Sequence, residues 1–179
     1  MQKRKTHIFA VTMILTILLA LTPSRSAQAS SCEYFTNDER LIASLMWNTS
    51  AQGRPYLSCD PILTQVARAR AYDMASRGYF GHVNPDGIGP NYLVEQAGYR
   101  LPDWWGDHPS ANYIESIAAG YRTTQEAWDA WMVSPRHLEH VLAYTPFFRE
   151  QVMYGIGVVE VPGSQYERYY VVLTAPAQP

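Results

Sequence analysis

Beyond residue 29 the sequence carries four histidines, His82, His108, His137 and His140. An imidazole can serve as a general base, a metal ligand or a neutral hydrogen-bonding group. His137 sits in the most telling context, Trp131-Met132-Val133-Ser134-Pro135-Arg136-His137. Ser134 can cap and Pro135 can open a helix, which puts this ring just inside the first turn. His140 follows three residues later, so the pair can face one metal ion together. No Cys or Asp lies at a spacing that completes such a site locally. Further on, Gly155-Ile156-Gly157-Val158 reads as a strand whose glycines let another segment approach closely.

Other chemistries find no motif. The chain has no Gly-x-Ser-x-Gly elbow, no His-Glu-x-x-His and no glycine-rich phosphate loop. Ser134 is near His137 in sequence, but a serine at a helix N-cap spends its oxygen on backbone amides, which argues against a serine hydrolase.

The elements that must position these groups begin with helices. Thr36 and Glu39 have capping-box spacing, predicting a helix to about Asn48 with Leu41, Ile42 and Leu45 facing inward. Asp60-Pro61 caps and opens a second helix, in which Leu63, Ala67, Ala71 and Met74 repeat at helical spacing up to a stop at Gly78. A loop holding His82 follows, then a short helix over 91–97. Residues 98–111, with Trp104 and Trp105, read as an irregular excursion. A second capping box, Thr123 and Glu126, starts a helix through Trp128 and Trp131 that Pro135 ends or redirects. Residues 152–161 and 166–174 are rich in Val, Ile and Tyr around a Pro-Gly-Ser-Gln turn, a hairpin pattern. Helices first and a hairpin last predict an α+β fold.

The start of the chain reads as an export leader: Lys3, Arg4 and Lys5, an apolar run from Ile8 to Leu21, then Ala27-Gln28-Ala29. That run is shorter than the roughly 20 residues of a bilayer span, so no integral membrane span is expected in the mature protein. The mature chain is expected to start near Ser30, with a short segment at 30–36 and one domain at 37–176. Loss of the leader takes four of the 14 basic residues and none of the 16 acidic ones, leaving a net charge of −6. The remaining arginines are scattered, which excludes a nucleic-acid partner. In an oxidising compartment Cys32 and Cys59 are expected to pair, closing a loop of about 28 residues for roughly 3 kcal/mol. The rival reading, a lipid on Cys32, lacks the usual leucine of a lipobox and would strand Cys59.

The series Leu57-x-x-Asp60-x-x-Leu63-x-x-x-Ala67, Ala75-x-x-Gly78-Tyr79-Phe80-x-His82-x-x-Pro85-Asp86-Gly87, Trp131-x-x-Ser134-Pro135-x-His137 and Gly155-Ile156-Gly157-Val158 resembles the bacterial branch of the CAP superfamily. That superfamily groups cysteine-rich secretory proteins, antigen 5 and pathogenesis-related proteins, and the likeness spans about residues 37–174. It implies a three-layer α-β-α sandwich with a central antiparallel sheet and a cleft lined by two histidines and acidic residues. His82 and His137 match the two histidines. Glu115 looks like the acid of a Gly-Glu-Asn motif whose neighbours have become Ile114 and Ser116. For the second acid, Glu126 and Asp129 lie in the right helix without a firm motif, and the first helix's Asn-x-x-Arg pattern is broken at Ala51.

The resemblance implies a secreted domain, at the cell envelope or outside the cell, that binds a ligand or partner. Lipid, sterol and envelope components are the candidates, with Trp104 and Trp105 as a candidate apolar wall. No cofactor is required on this reading. The alternative is a divalent-metal-dependent hydrolase in which His82, His137 and Glu115 hold Zn²⁺ and Glu115 or Asp129 takes a proton from its water. The same residues would then be its catalytic set.

Overall fold

The computed structural model describes residues 30–178; the leader expected over 1–29 lies outside the described residues. A short helix α1 (Ser30–Glu33) leads into α2 (Asn37–Asn48), whose capping box forms as the spacing predicts: Thr36 Oγ1 accepts from Glu39 N–H and Glu39 accepts from Thr36 N–H. Ile42, Ala43 and Met46 form its buried face. Leu41 points outward instead, because the helix turns its 39/42/43/46 stripe to the sheet and Leu41 falls beside it. Asp60 caps α3 (Pro61–Arg77) through the amides of Ile62 and Leu63, and Gly78 ends it in the left-handed region at φ 66°. Then come α4 (Pro90–Gln96), a 3-10 turn at Asp103–Trp105, α5 (Thr124–Met132), α6 (Pro135–Val141) and α7 (Pro146–Arg149).

Four strands form the sheet: β1 (Ser58–Cys59), β2 (Glu115–Ala119), β3 (Met153–Glu160) and β4 (Arg168–Ala175), ordered β1-β3-β4-β2. The predicted hairpin is the β3/β4 pair, and β2 adds antiparallel to β4 with Glu115 opposite Leu173. The sheet is not wholly antiparallel. β1 runs parallel to β3, and the long connection between them passes through α3, α4, β2 and α5 to α7.

Along β4 the side chains alternate between two cores. Tyr169, Val171 and Leu173 pack with Leu63, Ala67 and Met74 of α3. Tyr170 and Val172 pack with Ile42 and Met46 of α2 and with Trp128 and Trp131 of α5. Helices therefore cover both faces of the sheet. The glycines of β3 set the spacing of the first layer: a Cβ on Gly155 would lie 2.1 Å from Leu63 C, and one on Gly157 2.3 Å from Ala67 C. What approaches the glycine strand is thus the backbone of α3, and only residues without a side chain permit it. Cys32 and Cys59 are bridged with Cα atoms 6.1 Å apart, tying α1 to β1 at the edge of the sheet.

Candidate functional site

β2 is an edge strand, and beyond it the two helical layers nearly meet. The loop after α3 comes from one side and α6 from the other, leaving a cavity of about 540 Å³ between them. His82, Glu115, His137 and His140 all line it.

Glu115 is the first residue of β2, and Asn112 sets it there. Asn112 Oδ1 accepts from the Glu115 amide at 2.9 Å while its Nδ2 donates to the Glu115 carbonyl at 3.3 Å. The carboxylate is fully enclosed. Arg70 Nε donates to Oε2 at 2.9 Å and Nη2 reaches Oε1 at 3.3 Å. His82 Nδ1 lies 2.9 Å from the same Oε1. A carboxylate only accepts, so Nδ1–H of His82 is the donor, and Nε2 is not engaged by Glu115. Arg70 is itself buried, and its remaining donors hold Tyr79 Oη and the carbonyls of Gly81 and His82. One guanidinium thus fixes the acid, the histidine's backbone and the turn between them.

On the opposite wall His140 is 4% exposed and belongs to a directional chain. Gln151 Nε2 donates to Tyr113 O at 2.9 Å, so its Oε1 accepts from Thr174 Oγ1 at 2.6 Å. Thr174 has then used its only proton, and His140 Nε2–H must donate to it across 2.7 Å. Nδ1 is left to accept from Ser116 Oγ at 2.7 Å. Arg54 closes this end: buried with no carboxylate partner among the described residues, it donates to the carbonyls of His140, Val141 and Gln151 and to Thr174 Oγ1. Burial pushes the Arg54 guanidinium down to about 10, still charged at neutral pH. Burial, then the Arg54 charge, hold the His140 imidazole well below its usual range, so it is neutral. Ser116 is 1% exposed and donates into this sealed chain, an arrangement for support and not for nucleophilic attack.

His137 stands between these walls and packs 6.4 Å from the Trp131 ring. Burial first, and repulsion from His82 second, lower its basicity. Its Nδ1 is buried with no hydrogen-bond partner among the described residues. It shares the cavity with His82 and Glu115 without a hydrogen bond to either. Ser134 occupies the N-cap position of α6, but its side chain makes no capping bond and instead lines the cavity.

Glu126 and Asp129 do not reach this site. Glu126 Oε2 accepts from the amides of Arg122 and Thr123 as the second half of the α5 capping box, and Asp129 accepts from Gln125 on the exposed face of the same helix. The capping-box spacing that located the helix also commits Glu126. His108 is likewise exposed, bonded to Ser110.

The metal reading fails a fit test. Among the described residues no three His, Cys, Asp or Glu side chains converge to hold an ion. Glu115, the hard oxygen of the expected His82/His137/Glu115 set, has both oxygens taken by Arg70 and His82. The missed residue is Arg70. Its signal is legible in retrospect, since position 70 falls on the buried stripe with Leu63, Ala67 and Met74, where a charge needs a buried partner.

Residues 34–174 match the model of the cysteine-rich secretory protein family, CAP. The chain belongs to the CAP family. It is 31% identical over 120 residues to the uncharacterized protein YkwD of Bacillus subtilis, a match covering 67% of this chain and 41% of that protein. The chain thus spans about two fifths of this relative's length. Among solved structures it is similar to an outer surface protein from Borrelia burgdorferi, with TM-score 0.59 and 19% identity over 79% of this chain and 93% of that one. It is also similar to an extracellular protein containing an SCP domain from Bacillus anthracis, with TM-score 0.60 and 20% identity over 78% and 40% of the two chains. At such identities the likeness is one of fold. As the motif series implies for a CAP domain, His82 and His137 are brought to one cavity from positions far apart in sequence. No helix among the described residues is long and apolar enough to cross a membrane.

Proposed function

We propose that this CAP domain is exported and acts by binding, taking up a polar ligand of the cell envelope or its surroundings in the cavity between His82 and His137. One observation carries the reading. The group best suited to proton chemistry, Glu115, is enclosed and engaged on both oxygens by Arg70 and His82. What remains for a ligand is hydrogen-bonding capacity: His82 Nε2, the His137 ring, the second N–H of the Asn112 amide, and the side chains of Ser134, Arg136 and Glu139. Such a lining supports a polar ligand over a sterol or an acyl chain. Trp105, half of the expected apolar wall, is spent on the core and leaves Trp104 alone at the surface. Export is supported by the leader pattern at 1–29, by the Cys32–Cys59 bridge, and by solved relatives described as outer surface and extracellular proteins.

The test is retention on purified cell-wall sacculi against vesicles of phosphatidylglycerol, with release of soluble amino groups and reducing ends followed in the same tubes. Retention on sacculi that falls in His82→Ala and His137→Ala, without product release, is expected. Release of products by the wild type beyond that of the two variants would overturn the reading in favour of a hydrolase. Equal retention by all three proteins would place binding elsewhere.

A further inference from the structure

The cavity does not end at His137. A second hollow of about 290 Å³ shares Ser134 and His137 with the first and continues past Ile117 and Ala119 to Phe80 and Tyr121. Together the two line β2 along its whole length, from the residues before Glu115 to those after Ala119. Each end of this groove carries exposed aromatic surface. At one end Tyr113, in the lining, is 41% exposed, and Trp104, outside the lining but joined to Tyr113 through Phe147, is 72% exposed. Trp104 is held edge-on by Trp105 at 5.9 Å and by Phe147 at 6.3 Å, and Phe147 packs in turn on Tyr113. At the other end Phe80 is 44% exposed and braced by Tyr166 at 5.6 Å, with Tyr121 beside the hollow. Solvated indole and phenyl faces braced by neighbouring rings are pre-ordered, so a ligand that stacks on them meets little ordering cost.

A groove along an edge strand suggests a peptide added as a further strand. Here that route is obstructed at the start of β2. Thr174 N–H donates to Ile114 O and Gly120 N–H to Arg168 O, so even-numbered residues of this stretch turn their main-chain groups to β4 and Glu115, Ile117 and Ala119 turn theirs outward. Three of these outward groups are already occupied. Asn112 takes both the amide and the carbonyl of Glu115, and Trp131 Nε1 donates to Ile117 O at 3.1 Å. Recognition therefore falls to side chains: flat apolar faces at the ends and hydroxyl, amide and neutral imidazole groups between, with one cation, Arg136, and one anion, Glu139, roughly cancelling. An occupant must be elongated, uncharged, rich in hydroxyl or amide groups, and apolar on its flat faces.

We propose, resting on the binding reading above, that the occupant is a linear uncharged oligosaccharide, with its pyranose rings stacked on Trp104 and Phe80 and its hydroxyl or acetamido groups bonded to His82, His137 and Asn112. The test is titration of the protein with N-acetylchitotetraose and, separately, cellotetraose, by calorimetry and by tryptophan fluorescence, in wild type, Trp104→Ala, Phe80→Ala and His137→Ala. Saturable binding of at least one sugar is expected, weakened roughly two- to tenfold by each aromatic substitution and further in His137→Ala. All three sites are partly exposed, and unchanged thermal unfolding of the variants guards against loss of fold. No saturable binding of either sugar, or binding indifferent to both Trp104→Ala and Phe80→Ala, overturns the proposal. If sacculi are still retained in a manner that depends on His82 and His137 while neither sugar binds, the binding reading stands and the glycan assignment alone falls.

Discussion

Lowering the pH should destabilise this protein through His140 before its carboxylates are titrated. In the native state His140 is neutral, because it is buried, lies beside Arg54, and has its one lone pair committed to Ser116. In the unfolded chain it titrates near the usual 6.5. Below that pH the unfolded state binds a proton that the native state refuses, so stability is complete above 6.5 and is lost as pH falls toward the depressed native value. The slope approaches about 1.4 kcal/mol per pH unit, and between pH 7.5 and 5.5 the loss due to His140 amounts to at most about 1.4 kcal/mol. For a domain of this size that is roughly 3–6 °C in Tm. His137, also depressed but half-buried, adds a smaller loss of the same sign. Urea unfolding at pH 7.5 and 5.5 of the wild type and of His140→Asn isolates the effect. The variant starts less stable, yet should lose about 1.4 kcal/mol less than wild type over this interval. Equal losses in the two proteins would refute the neutral-acceptor assignment of His140 and the hydrogen-bond chain on which it depends.

Arg70→Met should cost about 3–5 kcal/mol in urea unfolding because it strands the Glu115 carboxylate, and the double variant Arg70→Met/Glu115→Gln should recover part of that loss. Gly155→Ala drives a methyl group into the α3 backbone at Leu63 and should lower stability by at least about 2 kcal/mol by calorimetry, with no relief from side-chain repacking. Reduction of the Cys32–Cys59 bridge, which spans 27 positions, should lower the urea midpoint by the equivalent of about 3 kcal/mol without changing the near-ultraviolet spectrum of the folded state.

What the sequence makes legible follows from the range of the interactions involved. Capping boxes, Asp60-Pro61, Gly78 and the paired Val/Ile/Tyr runs are local signals, and each element they announce lies where expected. β2 is not among the predicted elements. Its residues, Glu115-Ser116-Ile117-Ala118-Ala119, do not alternate and include a single β-branched side chain, Ile117, and it is a strand because β4 offers it a partner. For the site, the motif series names His82, Glu115 and His137, all three of which line the cavity. It does not name Arg70, Arg54 or the Ser116–His140–Thr174–Gln151 chain, because these depend on contacts 23 to 120 positions apart that leave no spacing to read. Ser116 shows the limit well: read as a departure from a motif, it is in the fold the hydroxyl that occupies His140 Nδ1.

The two buried arginines give this cleft its character. Arg54 draws together the C-terminal carbonyls of α6 and the end of β4, where a cation also answers the helix dipole, and Arg70 draws together α3, the His82 loop and β2. Each does with a fixed guanidinium fork what a bound ion could do with a coordination sphere, which is to hold both walls at a set distance without moving parts. The consequence for recognition is electrostatic. Both charges are consumed behind the walls by carbonyls and by Glu115, while His137 and His140 remain neutral. A neutral imidazole presents one donor and one acceptor, the complement of a hydroxyl and a poor complement of a phosphate or carboxylate. Affinity for the groove's ligand should therefore depend only weakly on salt between about 50 and about 500 mM, where recognition of an anionic ligand by Arg136 would be screened. A steep salt dependence of sacculus retention would reassign the ligand to an anionic polymer.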